Sequence, residues 1–494
     1  GEDPIMYICS DGGVARTTTP ELDQYKNIST NLGTTQFFGI AADVRGRILG
    51  GTQDNNTLLI TGESYPRKIA ESVISGDGFE CAISAYNPNY MFGESQYGNL
   101  RRSITAGSSF ESMWDNRISS SFASAQRPTG YFNNPFTLWE KSAVIDSTER
   151  FGRRTSDDSI ANARIFFATN DGIWMCKNAY GKPHDPTGPK EGSIRWFRVS
   201  NLRRVHYMKP SKDGESLFVT TNSGRIYRVG NLLTTQFDTL SLPTNNQIAA
   251  NLTTTEISQG MGLSSSRTVT SIAIDPENPN RMVATAGNYG NTNYVYITEN
   301  AMDASPTWTS IQGNLPRFPV YHALISIKNP DVIILGTEFG IWATNNGRSA
   351  NPTWAEAADG IDSDMPFPKV PVFDLVQVES NSSTGPRIYA GTHGMGIWET
   401  KSMLTSVRPN NNNPDTRIIN AYPNPANSFV NIDAEIKGSY SLKVYSLTGN
   451  IVYQTKGSNS KTVQISTSEW KSGNYFVEIL GNNTKITSKI IVQH

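Results

Sequence analysis

The sequence predicts an all-β protein: a β-propeller of about seven four-stranded antiparallel blades, followed by a small C-terminal β-sandwich. Three observations lead to this prediction: a hairpin motif that repeats over residues 1–405, a tryptophan that recurs between the repeats, and a turn-rich composition. The 494 residues include 41 Gly and 26 Pro, and only 18% of them are charged. This composition favours strands joined by tight turns over a helical bundle or a disordered chain.

The repeated motif is a short apolar strand that ends in Gly or Thr, then a tight polar turn, then a second strand. Gly and Asn in the turn tolerate the positive φ that such hairpins require. Two looser copies occupy residues 6–18 and 90–105. The clear copies occupy residues 48–61, 165–177, 217–229, 282–298, 332–346 and 388–400.

Each well-formed copy follows another short strand, so a unit contains at least three strands. Trp196, Trp308 and Trp354 fall between units, where a fourth, outer strand would begin. Four antiparallel strands that recur at a period near ~40–50 residues are the pattern of a propeller blade. The turns between the second and third strands would then lie together on one face of the ring.

The first copy lacks its innermost strand, because Gly1 lies just before it. Either the missing strand comes from the far end of the chain, or this unit is left from an upstream domain. We expect about seven complete blades, with the opening unit spare or shared. The chain has no initiator Met or leader at Gly1, so we interpret it as a mature or truncated form. The irregular segment 106–164 is a candidate functional insertion.

The composition changes after residue 405. Residues 406–416 are rich in Pro and Asn and are interpreted as a linker. Residues 417–494 contain about seven short alternating strands separated by turns, which predicts a small β-sandwich.

The tail carries a specific pattern: AYPNPANSFVNI at 421–432, KVYSLTGNIVYQ at 443–454, SGNYFVEI at 472–479 and a closing KIIVQH. These segments resemble the type A C-terminal sorting domain of the bacterial type IX secretion system. The resemblance implies export to the surface of a Gram-negative cell, with the secretion translocon and a surface sortase as partners. The residues that would carry the sorting signal are Tyr422, Pro423, Asn424, Pro425, Gly449, Gly473 and Tyr475.

The body also resembles a family. NLPRFPVYHALI at 314–325 and DMPFPKVPVFDLV at 364–376 resemble the entry strand of sortilin-like and BNR/Asp-box propeller repeats. The Asp-box is degenerate, because Asn345, Asn346 and Gly347 stand where the family often has Asp and Gly. The family includes glycoside hydrolases, sorting receptors and unassigned surface proteins, so the resemblance implies a fold more than a function.

The predicted rim combines carboxylates, amides and aromatic rings, which suits a sugar ligand. The alternative is that Asp and Asn occur there because they favour tight turns. The candidate ligand-binding residues are Gln53, Asp54, Gln96, Asn170, Asp171, Asn222, Tyr289, Glu338 and His393.

Catalysis is a second hypothesis. Glycoside hydrolysis needs two carboxylates, ~5–5.5 Å apart for retention or ~6.5–9.5 Å apart for inversion. The sequence offers no sialidase-type arginine segment, so we favour a protein that is not an enzyme. The candidate rim acids are Asp54, Glu94, Asp171 and Glu338.

Other chemistries have less support. The net charge of -1 argues against nucleic acid as a partner, and no apolar run approaches the ~20 residues of a membrane span. No cofactor is expected. Asp359, Asp362 and Asp364 could bind Ca²⁺, although a solvated loop is the favoured interpretation. Cys9, Cys81 and Cys176 lie in or beside apolar strands and are predicted to be buried thiols.

Three functions therefore remain open. The preferred one is a secreted, surface-delivered propeller that binds a glycan or a protein without catalysis. The alternatives are an extracellular glycoside hydrolase that uses rim carboxylates, and a structural docking component of a surface assembly.

Overall fold

The structure is a computed structural model, and it divides the chain into two compact units, Gly1–Val407 and Arg408–His494. The structure describes residues 5–10, 13–22, 24–28, 33–61, 69–113, 131–142, 161–181, 196–237, 247–356, 367–379, 386–400, 417–418, 421–446, 451–481 and 484–494.

The first unit opens with a small three-stranded antiparallel sheet, which we call the N-terminal sheet. Its strands are β1 (Met6–Ser10), β2 (Gly13–Thr17) and β3 (Lys26–Asn27), with a one-turn 3-10 helix at Pro20–Leu22. This sheet is the first hairpin copy of the sequence. Among the described residues β1 pairs only with β2, so its other edge is open.

Seven further sheets follow, and in each of them the strands succeed one another in chain order. Blade 1 contains β4 (Phe37–Ala42), β5 (Ile48–Thr52), β6 (Thr57–Thr61) and β7 (Ile69–Ile74). Blade 2 contains β8 (Gly78–Ile83), β9 (Met91–Ser95), β10 (Asn99–Ser103) and β11 (Glu111–Ser112). Blade 3 contains β12 (Phe136–Ser142), β13 (Ala161–Ala168), β14 (Ile173–Cys176) and β15 (Trp196–Ser200).

The remaining blades repeat this order. Blade 4 contains β16 (Val205–Pro210), β17 (Leu217–Thr221), β18 (Ile226–Gly230) and β19 (Thr253–Glu256). Blade 5 contains β20 (Val269–Ile274), β21 (Met282–Ala286), β22 (Val295–Thr298) and β23 (Thr309–Ser310). Blade 6 contains β24 (Val320–Ile325), β25 (Ile333–Thr337), β26 (Gly340–Thr344) and β27 (Ala355–Glu356). Blade 7 contains three described strands, β28 (Val372–Val378), β29 (Arg387–Thr392) and β30 (Ile397–Thr400).

The seven blades form a closed ring. The first strand of each blade lies beside the first strand of the next, and β28 of blade 7 lies beside β4 of blade 1. An isolated bridge between Gln36 and His393 crosses the same seam. Among the described strands the ring closes without an exchange, because each blade uses strands that are consecutive in the chain. The predicted all-β propeller of about seven blades is therefore confirmed.

The recurring tryptophans link the outer edges of neighbouring blades. Trp308 donates its indole N–H to the carbonyl of Ile257, the residue that follows the outer strand of the preceding blade, at 2.6 Å. The other two make the same bond, Trp196 to Met113 at 2.8 Å and Trp354 to Ile311 at 3.0 Å. All three rings are buried. A tryptophan at this position thus fills the space between two blades and satisfies a carbonyl at the end of a strand.

The predicted burial of the three thiols is only partly correct. Cys176 is fully buried, Cys81 is half-buried, and Cys9 is exposed. Cys9 lies in β1, whose five residues are all exposed because the N-terminal sheet has no inner strand to cover it among the described residues.

The second unit is built from fewer and longer strands than the sequence suggests. The strands are β31 (Arg417–Ile418), β32 (Ala421–Tyr422), β33 (Phe429–Ser446), β34 (Ile451–Ser466), β35 (Gly473–Gly481) and β36 (Thr484–Val492). The segments that the sequence separates are two halves of β33 and two halves of β34. Their register is irregular between Asp433 and Ser439. Ile432 and Leu442, one from each half of β33, face the same buried core, as in a sandwich.

One predicted sorting residue, Asn424, links the start of this unit to its last strand. Asn424 accepts the backbone N–H of Ile491 in β36 at 2.7 Å. Tyr475 packs into the core, and its hydroxyl donates to the carbonyl of Lys471 at 2.8 Å. Tyr422, Pro423 and Pro425 are exposed, Gly473 begins β35, and Gly449 lies outside the described residues.

Candidate functional site at the channel mouth

One end of the ring collects the turns between the second and third strands of every blade, together with the connections between blades. The alternating direction of antiparallel strands requires this arrangement. We call this end the mouth face. The turns place all the predicted ligand-binding residues on this face: Gln53, Asp54, Gln96, Asn170, Asp171, Asn222, Tyr289, Glu338 and His393.

Glu94 is not a rim residue, although the sequence offers it as one. It lies within β9 and its side chain is fully buried. Its Oε1 accepts the backbone N–H of Asn134 at 2.8 Å, and burial raises the pKa of its carboxyl well above the usual range. A carboxyl enclosed in this way joins blade 2 to the segment before β12 and cannot reach a ligand at the mouth.

Several other rim residues stabilise their own turns. Asp171 accepts the hydroxyl of Thr169 within the same turn. Asp54 has a φ of 60°, and its backbone N–H donates to the carboxylate of Asp77 at 2.8 Å. For Asp54 and Asp171, the alternative that Asp serves turn formation has direct support.

A β-bulge occurs near the start of the inner strand in six of the seven blades. The irregular steps lie at 37–39, 78–81, 205–207, 269–271, 320–322 and 372–374. A bulge leaves one residue out of the ladder and turns its side chain. The residues at these positions include Phe38, Phe79, His206, Thr270, Tyr321 and Phe373.

The bulge residues of four neighbouring blades bring their aromatic rings together. Phe79 lies 5.2 Å from Phe38, Phe38 lies 6.1 Å from Phe373, and Phe373 lies 4.8 Å from Tyr321, measured between ring centroids. The ring of His393 packs on Phe373 at 4.7 Å. These separations are those of stacked and edge-to-face aromatic pairs.

The row continues at both ends. Phe132 lies 5.4 Å from Phe79, and Tyr97 lies 5.6 Å from Phe132. At the other end Glu338 accepts a hydrogen bond from the hydroxyl of Tyr321. Burial, and then the nearby Glu338, raise the pKa of Tyr289, which places Tyr289 beside the same carboxylate. We call the whole row the mouth belt; it consists of Tyr97, Phe132, Phe79, Phe38, Phe373, His393, Tyr321, Glu338 and Tyr289.

Exposure along the mouth belt is uneven. Phe132 and Tyr289 are 51% and 56% exposed, whereas Phe38, Phe373 and Tyr321 are half-buried and Phe79 is buried. The middle of the belt is therefore a partly buried aromatic surface, and one exposed ring lies near each end. Burial, then Glu338, raises the pKa of Tyr321, and burial lowers the pKa of His393, so both groups are neutral at pH 7.

A second set of polar side chains lies just below the bulges on the inner strands. Ser271 accepts the backbone N–H of Ala323 at 3.0 Å, and the Nδ1 of His322 accepts that of Leu375 at 2.9 Å. Each bond joins one inner strand to the next. Together they satisfy backbone N–H groups beside the bulges.

His322 also contacts Tyr207 and Asp374, a set that resembles a proton relay. The Nδ1 of His322 accepts a backbone N–H, so its proton sits on Nε2, which donates to the hydroxyl of Tyr207 at 3.2 Å. In a catalytic relay the Nδ1–H would face the carboxylate. Burial lowers the pKa of His322, which keeps the ring neutral. The arrangement therefore holds blades together and does not activate the hydroxyl of Tyr207.

Glu80 and Lys209 complete this polar row. Burial, and then the nearby Asp374 carboxylate, raise the pKa of Glu80 to about 8. Burial lowers the pKa of Lys209. Both side chains thus favour their neutral forms more than they would in water.

The calcium candidates Asp359, Asp362 and Asp364 lie outside the described residues. Within the ranges that the structure describes, no group of three His, Cys, Asp or Glu side chains is placed to hold a metal ion.

Most of the mouth belt was not predicted from the sequence. Tyr289, Glu338 and His393 were predicted at the rim, whereas Phe38, Tyr321 and Phe373 were interpreted as ordinary strand residues. The available signal was an apolar residue followed by an aromatic residue at the start of an inner strand, as in Val320–Tyr321 and Val372–Phe373. That pair breaks the alternation of a regular strand, which is how a bulge shows in a sequence.

Comparison with known proteins identifies the tail. Residues 420–493 match the family of secretion system C-terminal sorting domains. The recognition of a type IX secretion substrate is therefore confirmed, and the protein is a secreted, cell-surface protein whose sorting domain interacts with the type IX machinery. No helix among the described residues is long and apolar enough to cross a membrane. No curated protein matches the chain.

Three solved structures show distant similarity to the chain. The GH74 xyloglucanase from Xanthomonas campestris is 10% identical with a TM-score of 0.44, over 98% of this chain and 71% of that chain. The GH74 enzyme of Niastella koreensis is 11% identical with a TM-score of 0.43, over 97% of this chain and 75% of that chain. Sqt1 of Saccharomyces cerevisiae is 10% identical with a TM-score of 0.44, over 74% of this chain and 96% of that chain.

Proposed function

We propose that this protein is a cell-surface propeller that binds an extracellular glycan at the mouth belt without cleaving it. The observation that carries the proposal is the continuous row of aromatic contacts from Tyr97 to Tyr321, extended to Tyr289 through Glu338. Export by the sorting domain delivers the propeller to the cell exterior, where glycans offer both apolar faces and hydroxyl edges.

The chemistry of the belt fits a sugar. The C–H face of a pyranose packs on an aromatic ring, and its hydroxyls need hydrogen-bonding groups at the ring edge. Glu338 and His393 supply such groups beside Tyr321 and Phe373. Glu338 retains acceptor capacity after it has accepted the hydroxyl of Tyr321, because a carboxylate offers about four lone-pair sites.

Hydrolysis by the rim acids has less support. Glu94 is buried, and the carboxylate of Asp171 is engaged by its own turn. Asp54 and Glu338 remain, and they belong to blades 1 and 6, with blade 7 between them. Glycoside hydrolysis needs two carboxylates on either side of one bond. Glycoside hydrolysis is therefore an alternative that the release of reducing sugar would reveal.

Affinity electrophoresis in gels that contain laminarin, β-mannan, xylan or hydroxyethylcellulose tests the proposal. We expect at least one of these polysaccharides to retard the protein, and Tyr289→Ala and Phe132→Ala each to weaken binding roughly tenfold. This is the effect of losing one aromatic contact worth about 1–1.5 kcal/mol.

Tyr86→Ala is the matched control, because Tyr86 is 51% exposed and lies between β8 and β9, at the opposite end of the ring. Equal losses in Tyr86→Ala and Tyr289→Ala, or no retardation in any gel, would contradict the proposal. Release of reducing sugar that disappears in both Asp54→Ala and Glu338→Ala would instead support the hydrolase alternative.

The docking alternative relies on segment 106–164, most of which lies outside the described residues. A stoichiometric partner that co-purifies with the full chain and is lost when 114–130 is deleted would support that alternative over glycan binding.

A further inference from the structure

The mouth belt extends over most of the ring. Its members come from five consecutive blades: Tyr97 and Phe79 from blade 2, Phe38 from blade 1, Phe373 and His393 from blade 7, Tyr321 and Glu338 from blade 6, and Tyr289 from blade 5. Phe132 precedes the first strand of blade 3. A ligand that uses the whole belt must therefore pass over several blades.

The spacing of the rings sets the size of such a ligand. Five successive contacts from Tyr97 to Tyr321 separate ring centroids by 4.8 to 6.1 Å. One pyranose covers about one aromatic ring, so a single sugar can occupy only one step of the row. The exposed rings of Phe132 and Tyr289 lie near opposite ends of the row, with Phe79, Phe38, Phe373 and Tyr321 between them, so a ligand that follows the row from one to the other needs several sugars.

The charge of the belt restricts the ligand further. Its one charged member is Glu338, and the pKa of His393 is lowered by burial, so no imidazolium offsets that carboxylate at pH 7. Arg267 lies near Tyr289, but its guanidinium donates to the carbonyls of Tyr289 and Gly290 at 2.7 and 3.3 Å. An acidic polysaccharide would meet the carboxylate of Glu338 within the belt, and the guanidinium beside Tyr289 is already bonded to carbonyls.

We propose that the mouth belt takes an extended, uncharged glycan chain that contacts both Phe132 and Tyr289, rather than the terminal sugar of a branched glycan. This inference rests on the proposed glycan-binding function and adds the length and charge of the ligand. Affinity then accumulates along the chain, because each additional sugar contacts another ring on the same rigid ring of blades.

Isothermal titration of the full chain with laminari-, manno- and cello-oligosaccharides of two to six residues tests the inference. We expect the affinity for one series to rise at least about tenfold from disaccharide to hexasaccharide. Phe132→Ala and Tyr289→Ala should each abolish most of this rise, whereas Tyr86→Ala should leave it intact. Phe132 and Tyr289 are both exposed, so we expect these variants to fold, and thermal unfolding verifies this.

The possible failures are distinguishable. If no neutral oligosaccharide or polysaccharide binds, the proposed function is wrong. If a disaccharide binds as tightly as its hexasaccharide, or if only one end variant affects the rise, glycan binding stands and the extended-chain inference is overturned. Tighter binding of oligogalacturonate or oligoalginate than of any neutral series would overturn the uncharged ligand.

Discussion

The Oδ2 atom of Asp374 accepts the backbone N–H of Ile40 at 2.8 Å, although the two residues are 334 positions apart in the chain. This bond joins the inner strand of the last blade to that of the first. It repeats the bonds from Ser271 to Ala323 and from His322 to Leu375 at the two preceding seams. A side chain thus helps to close the ring at its centre. The bond lies at the seam between blade 7 and blade 1, which are not consecutive in the chain.

Replacing Asp374 should destabilise the propeller at this seam. In Asp374→Ala the N–H of Ile40 loses its acceptor, and an unsatisfied backbone donor in the interior costs about 1–3 kcal/mol. Asp374→Asn keeps an acceptor oxygen and should lose less. The midpoint of thermal unfolding checks this, with Glu379→Ala as the control, because Glu379 is an exposed carboxylate just after the same strand. An equal midpoint for Asp374→Ala and Glu379→Ala would show that the bond is unimportant.

Glu80 should make stability depend on pH. The folded-state pKa of about 8 exceeds that of an unfolded glutamate, so the folded protein binds more protons and the carboxyl costs stability as pH rises from about 4.5 to 8. Glu80→Gln removes the ionisable group. We expect this variant to resemble the wild type at pH 5 and to unfold at a higher temperature than the wild type at pH 8.

Differential scanning fluorimetry from pH 5 to pH 9 measures this difference, with Glu379→Gln as the control. A difference between Glu80→Gln and the wild type that stays constant over the whole range would mean that Glu80 has an ordinary pKa.

Trp308 should stabilise the boundary between blades 4 and 5 through its indole N–H. Trp308→Phe keeps most of the ring but leaves the carbonyl of Ile257 without this donor, at a cost of about 1 kcal/mol or more. Trp398→Phe is the control, because the indole N–H of Trp398 in β30 donates to the carbonyl of Met395 in the preceding turn, within one blade. Thermal unfolding should show a larger loss for Trp308→Phe; a larger loss for Trp398→Phe would contradict the role of the link between blades.

Glu338 should act as a positioning residue for the two tyrosines at its end of the mouth belt. Glu338→Ala frees the hydroxyl of Tyr321, removes the carboxylate beside Tyr289, and should weaken glycan binding by roughly tenfold. Glu338→Gln retains a carbonyl acceptor and should restore part of the affinity. Titration calorimetry with the polysaccharide that retards the wild type provides the measurement. Full affinity in Glu338→Ala would show that the rings need no support.

Deletion of residues 417–494 should leave a folded propeller in the periplasm, since the sorting domain is a separate compact unit. Expression in a bacterium that has the type IX system, followed by surface proteolysis and cell fractionation, checks this. Tyr86→Ala, which leaves the tail unchanged, should reach the surface normally. Surface delivery of the truncated chain would refute the assignment of the tail.

The sequence by itself determined the all-β class, the repeated hairpins, the outer tryptophans and the sorting tail. Each of these is a local signal: turn residues between short apolar strands, Trp308 at a fixed place in the repeat, and the YPNP segment at the start of the tail. Local signals can be recognised in a sequence because they depend on residues that are close in the chain.

Only the tertiary structure decided which side chains meet. Glu94 is two residues from the predicted rim turn, yet the packing of blade 2 against the segment before β12 buries it. Phe38 and Phe373 are far apart in sequence, and they become neighbours only because the ring closes and bulges turn both rings toward the mouth. Contacts of this kind depend on closure of the whole ring, and no short stretch of sequence encodes that.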